Sequence, residues 1–222
     1  MSVAVGIASL ACVVAALFAW LLISRGRVPA PQAFGAIAAG MGAEWLLASS
    51  GTLQHWSQRP PPFMVMMAAL FVLTLAIALG RTGRRVAAGA SFALLVGLQA
   101  FRLPLELVMH AAARQGIMPV QMSYSGWNFD IVTGALAIPV AIAAAAGRAP
   151  RWLILGWNLL GLALLINVVT IAVVSTPLVA AFGAEHLNTW VADAPYVWLP
   201  GVLVPAALFG HLVMLRKVWR AE

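Results

Sequence analysis

The chain has 222 residues, of which 63% are hydrophobic and only 9% charged, with a mean hydropathy of +0.97. That excludes an ordinary soluble domain, in which about a quarter of residues are charged, and 222 residues cannot enclose so many apolar helices in a water-soluble interior. The formal net charge of +7 does not indicate a nucleic-acid partner, because the basic residues stand in short turns between apolar segments.

Apolar runs of seventeen residues or more recur along the chain, and runs of about twenty match the roughly 30 Å hydrocarbon core of a bilayer. They predict an all-α fold, a polytopic bundle of seven transmembrane helices in one membrane domain, 1–222. The predicted spans are 3–23, 34–50, 63–80, 86–110, 128–146, 152–175 and 199–215. Span one lacks a basic region ahead of its apolar run and reads as retained rather than cleaved. It holds the single cysteine, Cys12, so neither an internal disulfide nor a cysteine-based metal cluster is available. Span two carries Glu44 in "GMGAEWLL". Span four carries "FRLPLELVMH", three ionisable groups inside an apolar run. Span five opens on "GWNFDIVTG", where Asn128 is suited to cap the helix and Asp130 to favour its positive end. Span six holds Asn158 and Asn167 on opposite faces.

Turns such as "SRGRVPAPQ", "RTGRR" and "GRAPR" separate the spans. Ten Lys and Arg residues fall on the side of these turns and the carboxyl-terminal tail, against Arg59 and Arg114 on the other; Arg102 lies within a span. The positive-inside rule then predicts the amino terminus outside and the carboxyl terminus in the cytoplasm of a bacterial-type plasma (inner) membrane. Glu222 is the one acid expected on the cytoplasmic side. The outer connections are the long ones. In the last, "PLVAAFGAEHLNTWVAD" spaces Leu178, Phe182, His186 and Trp190 at helical intervals, which predicts an amphipathic surface helix or, alternatively, a collapsed loop lid.

Gln99, Arg102, Glu106 and His110 fall within an arc of roughly 80° on span four, so one polar face must look into the bundle. A central charge facing lipid costs at least about 2.5–3.5 kcal/mol. Pro104 bends the helix there. Measured from residue 86, Arg102 lies roughly 24 Å along the span, in the outer half. Arg102 is expected to pair with Glu44, Glu106 or Asp130, within a ligand-binding or ion-pair cluster of Glu44, Gln99, Arg102, Glu106, His110, Asn128, Asp130 and Asn167. His211, roughly 18 Å along span seven, reads as an interfacial residue ahead of Arg216 and Lys217. That separation in depth sets aside a haem held between His110 and His211. The lone lysine, Lys217, lies outside the bundle, which excludes a retinal Schiff base. No metal motif and no phosphate-binding glycine loop is present, and no cofactor is expected.

Three stretches, "FRLPLE" at 101–106, "PVQMSYSGWNFDIVTG" at 119–134 and "VWLPGVLVPAALFGHL" at 197–212, resemble a family of bacterial multi-span inner-membrane proteins. In that family the positions of Ser125 and Trp127 tend to be Glu and Arg, a pair this chain lacks. The resemblance implies an integral membrane protein, implies no activity, and directs attention to Arg102, Glu106, Asn128 and Asp130.

The first expectation for function is binding or permeation of a small, anionic solute through an outward-facing polar cavity, with Arg102 as anchor and Glu44 or Glu106 as proton-linked partner. The second is a membrane-embedded enzyme acting on a lipid or quinone, with Glu106 or Asp130 as acid or base. The third is a structural or assembly protein whose ion pairs only hold its shape. Expected partners are the lipid bilayer and a small-molecule ligand, with no nucleic acid. A lateral slot lined by acids would favour the second reading, and a closed, dry Arg102 pair the third.

Overall fold

A computed structural model describes residues 2–220; Glu222 and the side chain of Arg220 lie outside the described residues. Among the described residues there are nine α-helices and no strand: α1 (Val3–Ser24), α2 (Ala30–Ser49), α3 (Pro62–Leu79), α4 (Arg81–Gly89), α5 (Phe92–Gly97), α6 (Arg102–Arg114), α7 (Ile131–Ala145), α8 (Arg151–Val174) and α9 (Val204–Arg220). Five stretches are long and apolar enough to cross a membrane: α1, α3, Phe92–Arg114, α8 and Leu199–Trp219. Helix α7 is apolar but shorter, with 15 residues. Helix α2 has the length but carries Gln32, Glu44 and three glycines.

The fourth predicted span, 86–110, is not one helix. The chain breaks at Ala90, and Ser91 restarts it by accepting a hydrogen bond from the Leu94 amide at 3.1 Å. What precedes the break is α4, an amphipathic helix that buries Gly83, Val86 and Ala87 and exposes Arg81, Arg84 and Arg85. Its polar face cannot continue an apolar span, so it turns aside. Further on, Leu98–Phe101 tightens into a 3-10 turn before α6 begins at Arg102. Pro104 therefore sits in the first turn of α6, where its missing N–H leaves no bond unmade. Pro104 thus stands at a helix start rather than at the expected interior kink.

The tail of α9 closes this end of the bundle. Arg216 donates to the carbonyls of Ala78 and Gly80 at 2.7 and 3.1 Å, where α3 ends. Lys217 donates to Ala87 at 3.2 Å, near the end of α4, and lies over the Phe92 ring. Cations at helix carboxyl ends satisfy carbonyls that have no partner within the helix. Helix α9 is the central post of the fold and packs on α3, α4, α5 and α8.

At the opposite, loop end, the expected amphipathic helix over 178–190 does not form. The segment holds only two three-residue 3-10 turns, Ala184–His186 and Trp190–Ala192. It is a folded lid. Val191, Ala192 and Val197 are buried, and Trp190 meets Tyr196 edge-on. Polar bonds tie it down: Asn188 donates to Ala172 at 3.1 Å, and Gln121 donates to His186 at 2.8 Å and to Ser175 at 3.1 Å. Contacts inward from both edges outweigh the weak helical periodicity of so short a stretch.

Candidate functional site

The centre of the bundle is organised by Arg102, the bulkiest of the fully buried side chains. From the start of α6, its guanidinium meets Asp130, at the head of α7, in a two-pronged ion pair: Nε to Oδ2 at 2.6 Å, and Nη2 to Oδ1. Nη1 donates to the Gly161 carbonyl on α8 at 3.3 Å and to His211 Nε2 on α9 at 2.7 Å. An arginine has no acceptor, so His211 Nε2 must accept, which assigns the ring proton to Nδ1. That nitrogen faces Asn158 Oδ1 on α8 at 2.8 Å, and the Asn158 amide returns a bond to the His211 carbonyl at 3.3 Å. Thr133 completes Asp130 at 3.2 Å. One guanidinium thus joins α6, α7, α8 and α9.

Glu106, one turn along α6, belongs to a second group. Both its oxygens accept from the Asn128 amide, at 3.0 and 2.9 Å. Asn128 also donates to Met122 and accepts from the Asp130 backbone, each at 3.0 Å. This fixes the "NFD" turn so that Asp130 points at Arg102. The N-cap position of α7 is Asp130, which makes no side-chain cap bond and serves as the ion-pair partner; Asn128, expected as the cap, instead holds the Asp130 amide in the turn before the helix.

Both groups border an apolar cavity of about 90 Å³ between α3 and α8. Met64, Met67 and Phe71 form one wall, Val168, Val169 and Ala172 the other, and Leu203 of the final helical stretch lies at its floor. Helix α3 packs on α9 rather than on α8, which leaves this space. Val173, on the wall, is 42% exposed, so the cavity reaches the outer surface of the bundle.

Of the predicted residues, the structure brings together Arg102, Asp130, Glu106 and Asn128. Gln99 lies one turn away and bonds the Ala207 carbonyl at 3.3 Å. His110 is half-buried at the loop end, stacked on Tyr124, with Nδ1 3.0 Å from Ser125 Oγ. That contact resembles a nucleophile and base. However, the amides of Ser125, Gly126 and Trp127 are all engaged in bonds of their own, so they offer no donors to a developing oxyanion. Asn167 does not reach Arg102; it donates to the Trp127 carbonyl at 2.8 Å. Glu44 is not in the cluster either, because it faces a different cavity.

His211 and Asn158 are the members that sequence reasoning missed. The expectation of an interfacial His211 fails: the ring is fully buried and bonded to Arg102. A span counted from residue 86 places Arg102 too far toward the loop end, because the helix does not start there. From Phe92, where the helix restarts, Arg102 lies only about 15 Å along, level with the middle of α9. Asn158 four turns below the loop end and a histidine in "LFGHL" were the available signal.

No protein-family model matches the chain, and no curated protein or solved structure matches it. Among the described residues, no group of three or more His, Cys, Asp or Glu side chains could hold a metal ion.

Proposed function

We propose that this chain is a seven-span protein of a bacterial-type inner membrane, amino terminus outside, that binds an amphiphile entering laterally from the outer leaflet. Helices lie at all seven predicted stretches, α2 and α7 adding to the five of sufficient length and apolarity. Exposed Trp20, Trp152 and Trp219 near the basic end, and Trp45 and Trp127 near the loop end, fit two interfacial belts. The three stretches that carry the family resemblance supply Arg102 and Glu106, Asn128 and Asp130, and His211. A shared knot of this kind is what we propose for that family.

The observation that carries the functional reading is the cavity between α3 and α8, walled by Met, Phe, Val and Leu and bordered by the Glu106 carboxyl. A hydrated ion or solute would find almost nothing there to replace its water. The guanidinium has already committed four of its five N–H groups, which supports a shape-holding role for Arg102 rather than that of an open anchor. Glu106 is bonded only through one amide group, and its remaining lone pairs are available to a hydroxyl or amide on a ligand head. The lateral, acid-bordered cavity therefore favours a lipid- or quinone-like ligand over a permeating anion.

Native mass spectrometry of the protein released from nanodiscs, with decylubiquinone and phosphatidylethanolamine as separate probes, tests this. One probe should stay bound to the wild type and be lost by about tenfold, roughly 1.4 kcal/mol, in Ala172→Phe, which fills the cavity. Glu106→Gln should weaken the same adduct. Equal retention by all three proteins would overturn the reading.

A further inference from the structure

Helix α9 and the segment before it separate the cavity just described from a second, larger one of about 370 Å³. It lies between α2 and α3. Leu70, Leu73, Thr74 and Ile77 line it, where Met64, Met67 and Phe71 line the first. Its long wall is α2, from Gln32 through Ala36 and Gly40 to Glu44. Twelve residues of helix give the groove a length of about 18 Å, close to the depth of one leaflet's hydrocarbon, about 15 Å.

Glu44 closes one end. It is 5% exposed, and its Oε2 has no hydrogen-bond partner among the described residues. A buried carboxyl without a donor is costly, and native proteins rarely leave one in that state without a use for it. The opposing wall is shaped to receive it. Residues Leu199–Leu203 form a π-helical turn, and a side chain on Gly201 would strike the carboxyl, with Cδ at 2.5 Å and Oε1 at 2.7 Å from the Cβ position. π-turns widen a helix locally and are frequent at functional sites. Thr74, the other buried polar group on the wall, is already satisfied by the Leu70 carbonyl at 2.7 Å.

We propose that this groove is a second ligand site, for a single-chain amphiphile whose hydrogen-bond-donating head, an ammonium or a hydroxyl group, meets the Glu44 carboxyl. The apolar wall receives the chain, and Gly201 keeps the carboxyl seat open. The site is independent of the cavity beside Glu106, since the two share no lining residue.

The test uses the full chain in nanodiscs and the membrane-soluble carboxyl reagent dicyclohexylcarbodiimide, with modification read by peptide mass spectrometry. Glu44 should be modified, and dodecylamine or dodecanol should slow that modification by about tenfold while dodecane does not. Protection by the amine alone assigns an ammonium head, and protection by both a neutral donor. Native mass spectrometry supplies the second readout: dodecylamine or dodecanol binding should fall about tenfold in Glu44→Gln and in Gly201→Ala, but not in Thr74→Val. Both readouts are repeated in the Ala172→Phe background, where the cavity beside Glu106 is filled and cannot contribute to them. If dodecane protects as well as the headed probes, or if Glu44→Gln binds them as the wild type does, the proposal is overturned. Loss of the cavity beside Glu106 through Ala172→Phe should leave every one of these results in place, so failure at one site is distinguishable from failure at the other.

Discussion

Arg102 and Asp130 show how a single residue pair sets the geometry of four helices. Neither charge has access to water, and their bonds to each other, to His211, to Gly161 and to Thr133 replace it. Removing one partner from such a pair costs about 3–5 kcal/mol, because the other is left buried and uncompensated. Asp130→Ala should therefore be strongly destabilised in reversible unfolding in detergent. The double change Arg102→Met with Asp130→Leu should recover most of the loss, since a well-packed apolar pair is often as stable as a buried ion pair. A small loss in the single variant would remove the structural role assigned to the pair. Arg102, Glu106, Asn128 and Asp130 were legible in the sequence because ionisable and amide groups in an apolar run must find partners inside the bundle. Which acid pairs with Arg102 was not legible. Glu44, Glu106 and Asp130 satisfy the same rule, and only the Asn128 turn, which turns Asp130 toward the guanidinium and occupies Glu106, separates them.

At the scale of helices, the site depends on how closely α7 can approach α6. Gly134 lies against the backbone of Arg102 and Leu103; a Cβ there would stand 2.8 Å from the Arg102 carbonyl carbon and 2.9 Å from Leu103 Cα. Backbone cannot yield as a side chain can, so Gly134→Ala should destabilise the protein by about 1–3 kcal/mol through overpacking. It should also lengthen the Arg102–Asp130 contact, because Asp130 stands one turn earlier on the same element. Gly156→Ala is the matched control. A Cβ at Gly156 meets nothing within 4 Å, so this change should be neutral or stabilising by up to about 1 kcal/mol from helix propensity alone. Thermal unfolding of the two variants in the same detergent makes the comparison. If they lose stability equally, close helix approach is not what Gly134 provides. The helix positions were readable from apolar run length, but the break between α4 and α5 was not. Val86, Ala87 and Ala90 are apolar enough to extend a span, and only the burial of α4's apolar side against its neighbours, with Arg81, Arg84 and Arg85 turned outward, reveals a separate helix. The amphipathic helix expected over 178–190 fails for a related reason, and the alternative, a folded lid, forms instead. The apolar spacing suited a surface helix, while the bonds of Asn188 and Gln121 that fold the segment inward join residues far apart in sequence.

For the molecule as a whole, the proposed orientation rests on the distribution of charge between two ends. The turns at one end carry Arg25, Arg27, Arg81, Arg84, Arg85, Arg148 and Arg151, and Arg216 and Lys217 join them from α9. Arg59 and Arg114 stand at the other end, beside the lid. The basic excess should hold its end in the cytoplasm, where the K/R bias of short loops fixes topology. The single native cysteine makes this directly measurable. In a Cys12→Ala background, Gly116→Cys lies at a left-handed turn in the loop end and Gly147→Cys at one in the basic end, and in both a side chain there has open space around it. A membrane-impermeant maleimide applied to intact cells should label the first and spare the second, with both labelled after permeabilisation. The reverse pattern would invert the orientation and place the cavity beside Glu106 toward the inner leaflet, which would change the pool of amphiphiles able to enter it. Equal labelling of both sites on intact cells would mean that the two ends do not lie on opposite sides of a membrane, and the seven-span reading would fall with it.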